Sequence, residues 1–142
     1  MKNPVPRRHQ LCQVALKCFI TDQRGRLLVI RGKGKNGWDL PGGRVEHREF
    51  PRPLTTALRR ELDEEIGRRA KVNIRQPFVV YKHRAPGKAG VLLVGYHCDF
   101  RRGSVRLGKH QESYAWLNRR NYRRFRFLPW HRLAVDTFFK AK

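Results

Sequence analysis

Residues 42–67, GGRVEHREFPRPLTTALRRELDEEIG, decide how this chain is read. The whole chain holds 33 lysines and arginines against 11 acids, a net charge of +22. Yet six of the 11 acids, Glu46, Glu49, Glu61, Asp63, Glu64 and Glu65, fall inside this stretch. Solubility does not explain the cluster, because charge of either sign keeps a protein soluble. Pro53 and Gly67 mark the start and stop of a helix, with proline expected at its first position. At about 100° per residue, Leu54, Leu58, Leu62 and Ile66 form an apolar stripe. Glu61 and Glu65 border that stripe and Glu64 lies one step further round, whereas a merely solvated acidic face would sit opposite it.

The arrangement is locally unfavourable. Glu61 and Glu65 are like charges at i,i+4, which costs roughly 0.2–0.5 kcal/mol in an isolated helix. Glu64 and Glu65 also occupy the last turn, where the helix dipole disfavours anions by about 0.3–1 kcal/mol each. Local conflict of this kind is expected at functional sites. Three carboxylates at i, i+3 and i+4 form a compact all-oxygen ligand set suited to Mg²⁺ or Mn²⁺. A divalent cation turns their repulsion into attraction.

Taken together, GGRVEHRE and RELDEEIG resemble the signature of the Nudix hydrolase family, G-x5-E-x7-R-E-U-x-E-E-x-G-U with U apolar. Gly43 opens the box and Glu49 follows, then Arg60, Glu61, Leu62, Glu64, Glu65 and Gly67; the approach GWDLPGG is similar to the family's too. Two positions depart. Ten residues rather than seven separate Glu49 from Arg60, and Arg68 stands where an apolar residue is usual. The extra residues are expected around Phe50, Pro51 and Arg52, ahead of the helix.

The resemblance implies a Nudix-type α/β/α sandwich with a central mixed β-sheet and the box as a loop–helix–loop. It implies metal-dependent hydrolysis of a nucleoside diphosphate linked to another moiety. Glu61, Glu64 and Glu65 are then the metal ligands, with the carbonyl of Gly42 or Gly43 a further one. Arg60 would orient a loop glutamate, Glu49 or Glu46. The general base falls among Glu61, Glu65 and Glu112, the last being the only acid between Asp99 and Asp136.

Outward from the box, 142 residues make one domain, 1–142, large enough for its own core. Strands are expected at residues 11–20, 27–30, 78–81 and 90–100, and a second helix after Pro129 with Trp130, Leu133, Ala134, Thr137 and Phe138 on its packed face. This is an α/β layered domain. No apolar run approaches the roughly 20 residues that span a bilayer. The opening MKNPVPRRHQ has no apolar signal core, and Cys12, Cys18 and Cys98 match neither a disulfide framework nor a zinc site. A reducing, cytoplasmic setting is the expectation.

Lys33 and Lys35 in GKGKNG are candidate phosphate contacts, although a solvated turn is the plainer reading. Trp38 is a candidate base contact whose plainer role is core packing. NRRNYRRFRF, residues 118–127, interleaves arginines with aromatics; it suits nucleic acid, or a basic loop with its rings turned inward. The favoured substrate is a nucleoside triphosphate or nucleotide sugar. An RNA 5′ end and a non-catalytic nucleotide- or nucleic-acid-binding module are the alternatives, and non-specific RNA or DNA binding follows from the basic surface.

Overall fold

A computed structural model describes residues 7–141, so the MKNPVP read above for a leader lies outside the described residues. Six strands form one mixed sheet: β1 (Gln13–Thr21), β2 (Leu27–Gly32), β3 (Gly42–Arg44), β4 (Lys71–His83), β5 (Val91–Arg102) and β6 (Gln111–Leu117). Their order is β4-β5-β1-β2-β6, with β3 also paired to β1. Among the described strands only β1 and β5 pair in parallel. Beside β1, β2 pairs at Thr21 and β3 takes over at Ala15, Leu16 and Lys17. The glycine pair of the box is thereby built into the middle of the sheet.

Strand alternation divides the core in two. Leu16, Cys18 and Ile20 of β1 pack with Leu58, Leu62 and Ile66 of helix α1 (Leu54–Ile66). Ala15 and Phe19 face the other way, toward Phe138 and Phe139 of helix α2 (Arg132–Lys140). A mixed sheet between two helical layers is the expected sandwich. Each fully buried Leu, Ile or Phe contributes about 1.5–3 kcal/mol. α1 stops at Gly67, whose φ of +85° suits glycine.

Four expectations need correcting. Pro53 is the N-cap of α1, with extended ψ of 136°, rather than its first helical residue. α2 buries Ala134, Val135, Phe138 and Phe139, while Leu133 is 71 % exposed and Thr137 lies outside, because the helix packs those four residues into one core cluster with Phe19 and Tyr81. β4 runs through Pro77 as an edge strand, where a lost N–H is tolerated and the register shifts on either side. β6 makes a strand of QESYAWL by pairing with β2 along its length, so Glu112 belongs to a strand and not a loop.

Candidate active site

Both glycines of the box are required by close approach. Gly42 adopts φ +137° against the Leu16 carbonyl, and a side chain on Gly43 would strike the Glu61 carboxylate. The Gly42 N–H donates to Glu65 Oε2 at 3.0 Å, tying β3 to the last turn of α1. Arg60 makes a bidentate pair with Glu49, Nε to Oε2 and Nη2 to Oε1, both at 2.7 Å. Its hydrogen bonds hold the Glu49 carboxyl down at about 2. Glu46 meets Arg48 at 3.0 Å, and its own N–H donates to Glu49 Oε1 at 2.9 Å. Of the two loop acids it is Glu49 that pairs with Arg60. The longer spacer is taken up by a turn over residues 50–52, closed by Arg52 N–H donating to the Glu49 carbonyl at 2.9 Å. The helical register of the glutamates is untouched.

Glu61 and Glu65 are partly buried and Glu64 is exposed. Arg60 Nη1 lies 3.0 Å from Glu61 and 3.3 Å from Glu64. Burial raises the Glu61 carboxyl against the pull of Arg60. Burial also lifts Glu65, to about 8; Lys17 and the Gly42 N–H oppose the rise, and Glu61 and Asp39 reinforce it. Among the described residues, no three acidic, histidine or cysteine side chains converge tightly enough to hold a metal as they stand. Arg60 draws two of the glutamates aside and Gly42 holds the third. The donor chemistry still fits a hard divalent cation: three carboxylates share one groove, and the partly buried Glu65 makes no ion pair among the described residues.

That groove opens into a cleft of about 860 Å³. Glu61, Glu65, Gly42 and Gly43 line its acidic end; Lys33, Lys35 and Arg44 stand exposed at its mouth. The opposite end is apolar, built from Val91, Leu93, Leu128 and Trp130, with His83 stacked on Trp130 at 3.8 Å. Between the ends lies a polar chain absent from the sequence reading. Lys17 Nζ donates to Asp39 Oδ1 at 3.1 Å and to the Leu40 carbonyl at 3.2 Å. His131 Nε2 sits 2.7 Å from the same Asp39 oxygen, close but without hydrogen-bond alignment, and its Nδ1 is 2.8 Å from Tyr81 Oη. Burial favours the neutral form of His131, despite Asp39 beside it. For Asp39, burial is outweighed by Lys17 and His131, which hold the carboxyl well below its usual range.

Two sequence candidates lie elsewhere. Trp38 does not line the cleft; it packs on the α2-side core, edge-on to Phe125 at 5.5 Å with Arg31 over its ring at 5.2 Å. Glu112 is also outside the cleft, half exposed and 3.9 Å from Arg31, although His110 and Gln111 beside it line the wall. Glu112→Gln is therefore expected to leave kcat within about threefold of the wild type, far from the ~10²–10⁴-fold loss of a general base. Steady-state kinetics with a turned-over substrate check this. In residues 118–127, Tyr122 and Phe127 are buried and Phe125 is partly so, while Arg120, Arg123, Arg124 and Arg126 are exposed: a basic loop with its rings inward. A lysine inside the apolar run LCQVALKCFI was the one available signal for the polar chain. Nothing local marked His131, whose partners are 50 and 92 residues away in Tyr81 and Asp39.

The fold has counterparts. The chain is 31 % identical over 107 residues to a MutT-like protein of Streptomyces ambofaciens, covering 75 % of this chain and 64 % of that one. A 50-residue segment, 34 % of this chain and 28 % of the other, is 45 % identical to an RNA pyrophosphohydrolase of Saccharophagus degradans. The chain thus spans less than two thirds of either relative's length. In three dimensions it superposes on the MutT protein of Methanosarcina mazei Go1 with a TM-score of 0.78 and 17 % identity, over 95 % of this chain and 98 % of that one. The NUDIX domain model matches residues 12–138, from the start of the sheet into the last turn of α2. An acidic helix locked to a glycine pair, within a match spanning nearly the whole chain, makes this protein a member of the Nudix hydrolase family.

Proposed function

We propose that this protein hydrolyses the phosphoanhydride of a nucleoside diphosphate linked to a further group, with Mg²⁺ or Mn²⁺ held by Glu61, Glu64, Glu65 and the Gly43 carbonyl. One observation carries the reading: Glu65 is sunk in the wall of a nucleotide-sized cleft with its carboxyl raised to about 8, beside a second partly buried glutamate. Carboxyls displaced this far from their ordinary range cluster at functional sites. Bound at these oxygens, the cation neutralises charge developing on the phosphoryl group and supports a positioned water. Arg60 keeps the box loop in place through Glu49 and releases Glu61 and Glu64 for ligation. Glu61 or Glu65 takes the proton of the attacking water, since both line the cleft and Glu112 does not. Lys33, Lys35 and Arg44 meet the phosphate chain at the mouth. The apolar end around Trp130 suits the nucleoside of a nucleoside triphosphate or nucleotide sugar.

An RNA 5′ end is the second reading. It is favoured by the net charge of +22 and by the segment similar to an RNA pyrophosphohydrolase. The exposed arginines of residues 118–127 would add salt-sensitive, sequence-independent binding of RNA or DNA. Three free thiols agree with a reducing compartment such as the cytoplasm. Incubation with nucleoside triphosphates, nucleotide sugars and 5′-triphosphorylated RNA, with Mg²⁺ or Mn²⁺, separates these substrates by the product released. Turnover of none of them would leave only the non-catalytic binding module.

A further inference from the structure

We infer that Lys17 is a phosphate-binding residue of the cleft, donating its remaining N–H to a phosphoryl oxygen of the substrate beside the glutamates of α1. This rests on the hydrolase reading above. Lys17 is only 8 % exposed, inside the apolar run of β1, yet it lines the cleft. It stands opposite Gly42 in the β1–β3 ladder, the residue whose N–H holds Glu65. Its ammonium is thus placed where the acidic and apolar ends meet.

An ammonium carries three donors. Two are spent on Asp39 Oδ1 and the Leu40 carbonyl, and among the described residues no third acceptor is bonded. Taking an ammonium out of water is expensive, and an ion pair seldom repays it in stability alone. Asp39 has partners besides Lys17: its Oδ1 also accepts from the Leu40 N–H at 2.7 Å and lies beside His131. The pair also stays open to the cleft, with the Asp39 side chain 30 % exposed. What the arrangement does achieve is placement. Tyr81 fixes His131, His131 abuts Asp39, and Asp39 with Leu40 fixes the lysine, so a positive charge is aimed before substrate arrives. Such preorganisation costs no rearrangement when charge develops on the phosphoryl oxygens. Lysine suits the task as a compact point charge for phosphate.

The test uses Lys17→Met and the double variant Lys17→Met/Asp39→Asn, which removes both charges at nearly constant shape. Folding is checked by circular dichroism and thermal unfolding. Mg²⁺-pyrophosphate binding is titrated calorimetrically, and kcat/KM is measured on whichever substrate the screen identifies. Both variants are expected to bind pyrophosphate at least about tenfold more weakly and to lose about 10²–10³-fold in kcat/KM, the scale of one lost oxyanion donor. Recovery in the double variant would make Lys17 a structural partner of Asp39 and overturn the inference. So would pyrophosphate affinity near that of the wild type in either variant, or no pyrophosphate binding by the wild type. An inactive wild type that still binds pyrophosphate through Lys17 would sink the hydrolase reading and spare this one. Should neither variant fold, the Lys17 ammonium resonance of the wild type decides: a shift on adding Mg²⁺-pyrophosphate supports the contact, and none overturns it.

Discussion

Excess chelator is expected to stop hydrolysis completely, and Mg²⁺ or Mn²⁺ to restore it. Without a cation the box is occupied with its own charges. Arg60 engages Glu61 and Glu64, and Glu65, raised to about 8, holds a proton at neutral pH. What is then left to offset the charge of a phosphoanhydride is Lys17 and the lysines and arginine at the mouth, with no divalent charge among them. The cation must expel the Glu65 proton in order to bind, so metal affinity rises with pH up to about 8 and then levels off. Calorimetry in two buffers of different ionisation heat reads this directly. Close to one proton per cation is released at about pH 6.5, and close to none at about pH 9. Undiminished turnover in excess chelator would end the metal mechanism, and binding without proton release would contradict the environment of Glu65.

Glu65→Gln carries the next largest effect, a loss in kcat of about 10²–10⁴-fold with the fold intact. The change removes a buried charge at almost constant shape. It leaves a side-chain oxygen to accept the Gly42 N–H. The same variant has a signature in stability that a merely misfolded enzyme lacks. The folded-state value of Glu65 is raised from 4.5 to about 8. Its contribution is therefore fully present below pH 4.5 and is lost as the pH rises through 8. Metal-free wild type thus weakens from about pH 5 to pH 9, while Glu65→Gln does not weaken from this source. Urea unfolding in chelator at the two pH values measures the difference. A variant no more stable than wild type at the higher pH, or one that turns over normally, would move the buried charge's role to another residue.

The box was legible because its information is local. Helix periodicity put Glu61 and Glu65 on the border of the apolar stripe, and burial of Leu58, Leu62 and Ile66 carries both into the cleft wall. Proline and glycine bounded α1 to within one residue, since each acts through its own backbone angles. β6 and most of β4 escaped notice because polar outward-facing residues, and in β4 a proline, dilute the alternation. Their strand state comes from pairing with β2 and β5. The buried face of α2 differs from the expected one for a related reason: rotation of the helix about its axis is set by packing against the sheet, which spacing within the helix does not specify.

The choice between Glu46 and Glu49 as partner of Arg60 stood open in the sequence, because a longer spacer moves the loop by an amount that spacing does not specify. The folded loop closes it in favour of Glu49, whose two oxygens match the guanidinium fork. Glu112 illustrates the opposite limit, since its place in the chain suggested a role in the site, whereas pairing with β2 makes it part of strand β6, outside the cleft lining and beside Arg31. Lys17, Asp39, Tyr81 and His131 come from four separate segments and meet only when β1, β4 and the turn before α2 pack together. Sequence pattern therefore specified the acidic helix and its chemistry, which depend on neighbours three and four residues apart. The cleft, its buried lysine and the ring chain behind it were decided by tertiary packing, because contacts between distant segments leave no periodic trace in any one of them.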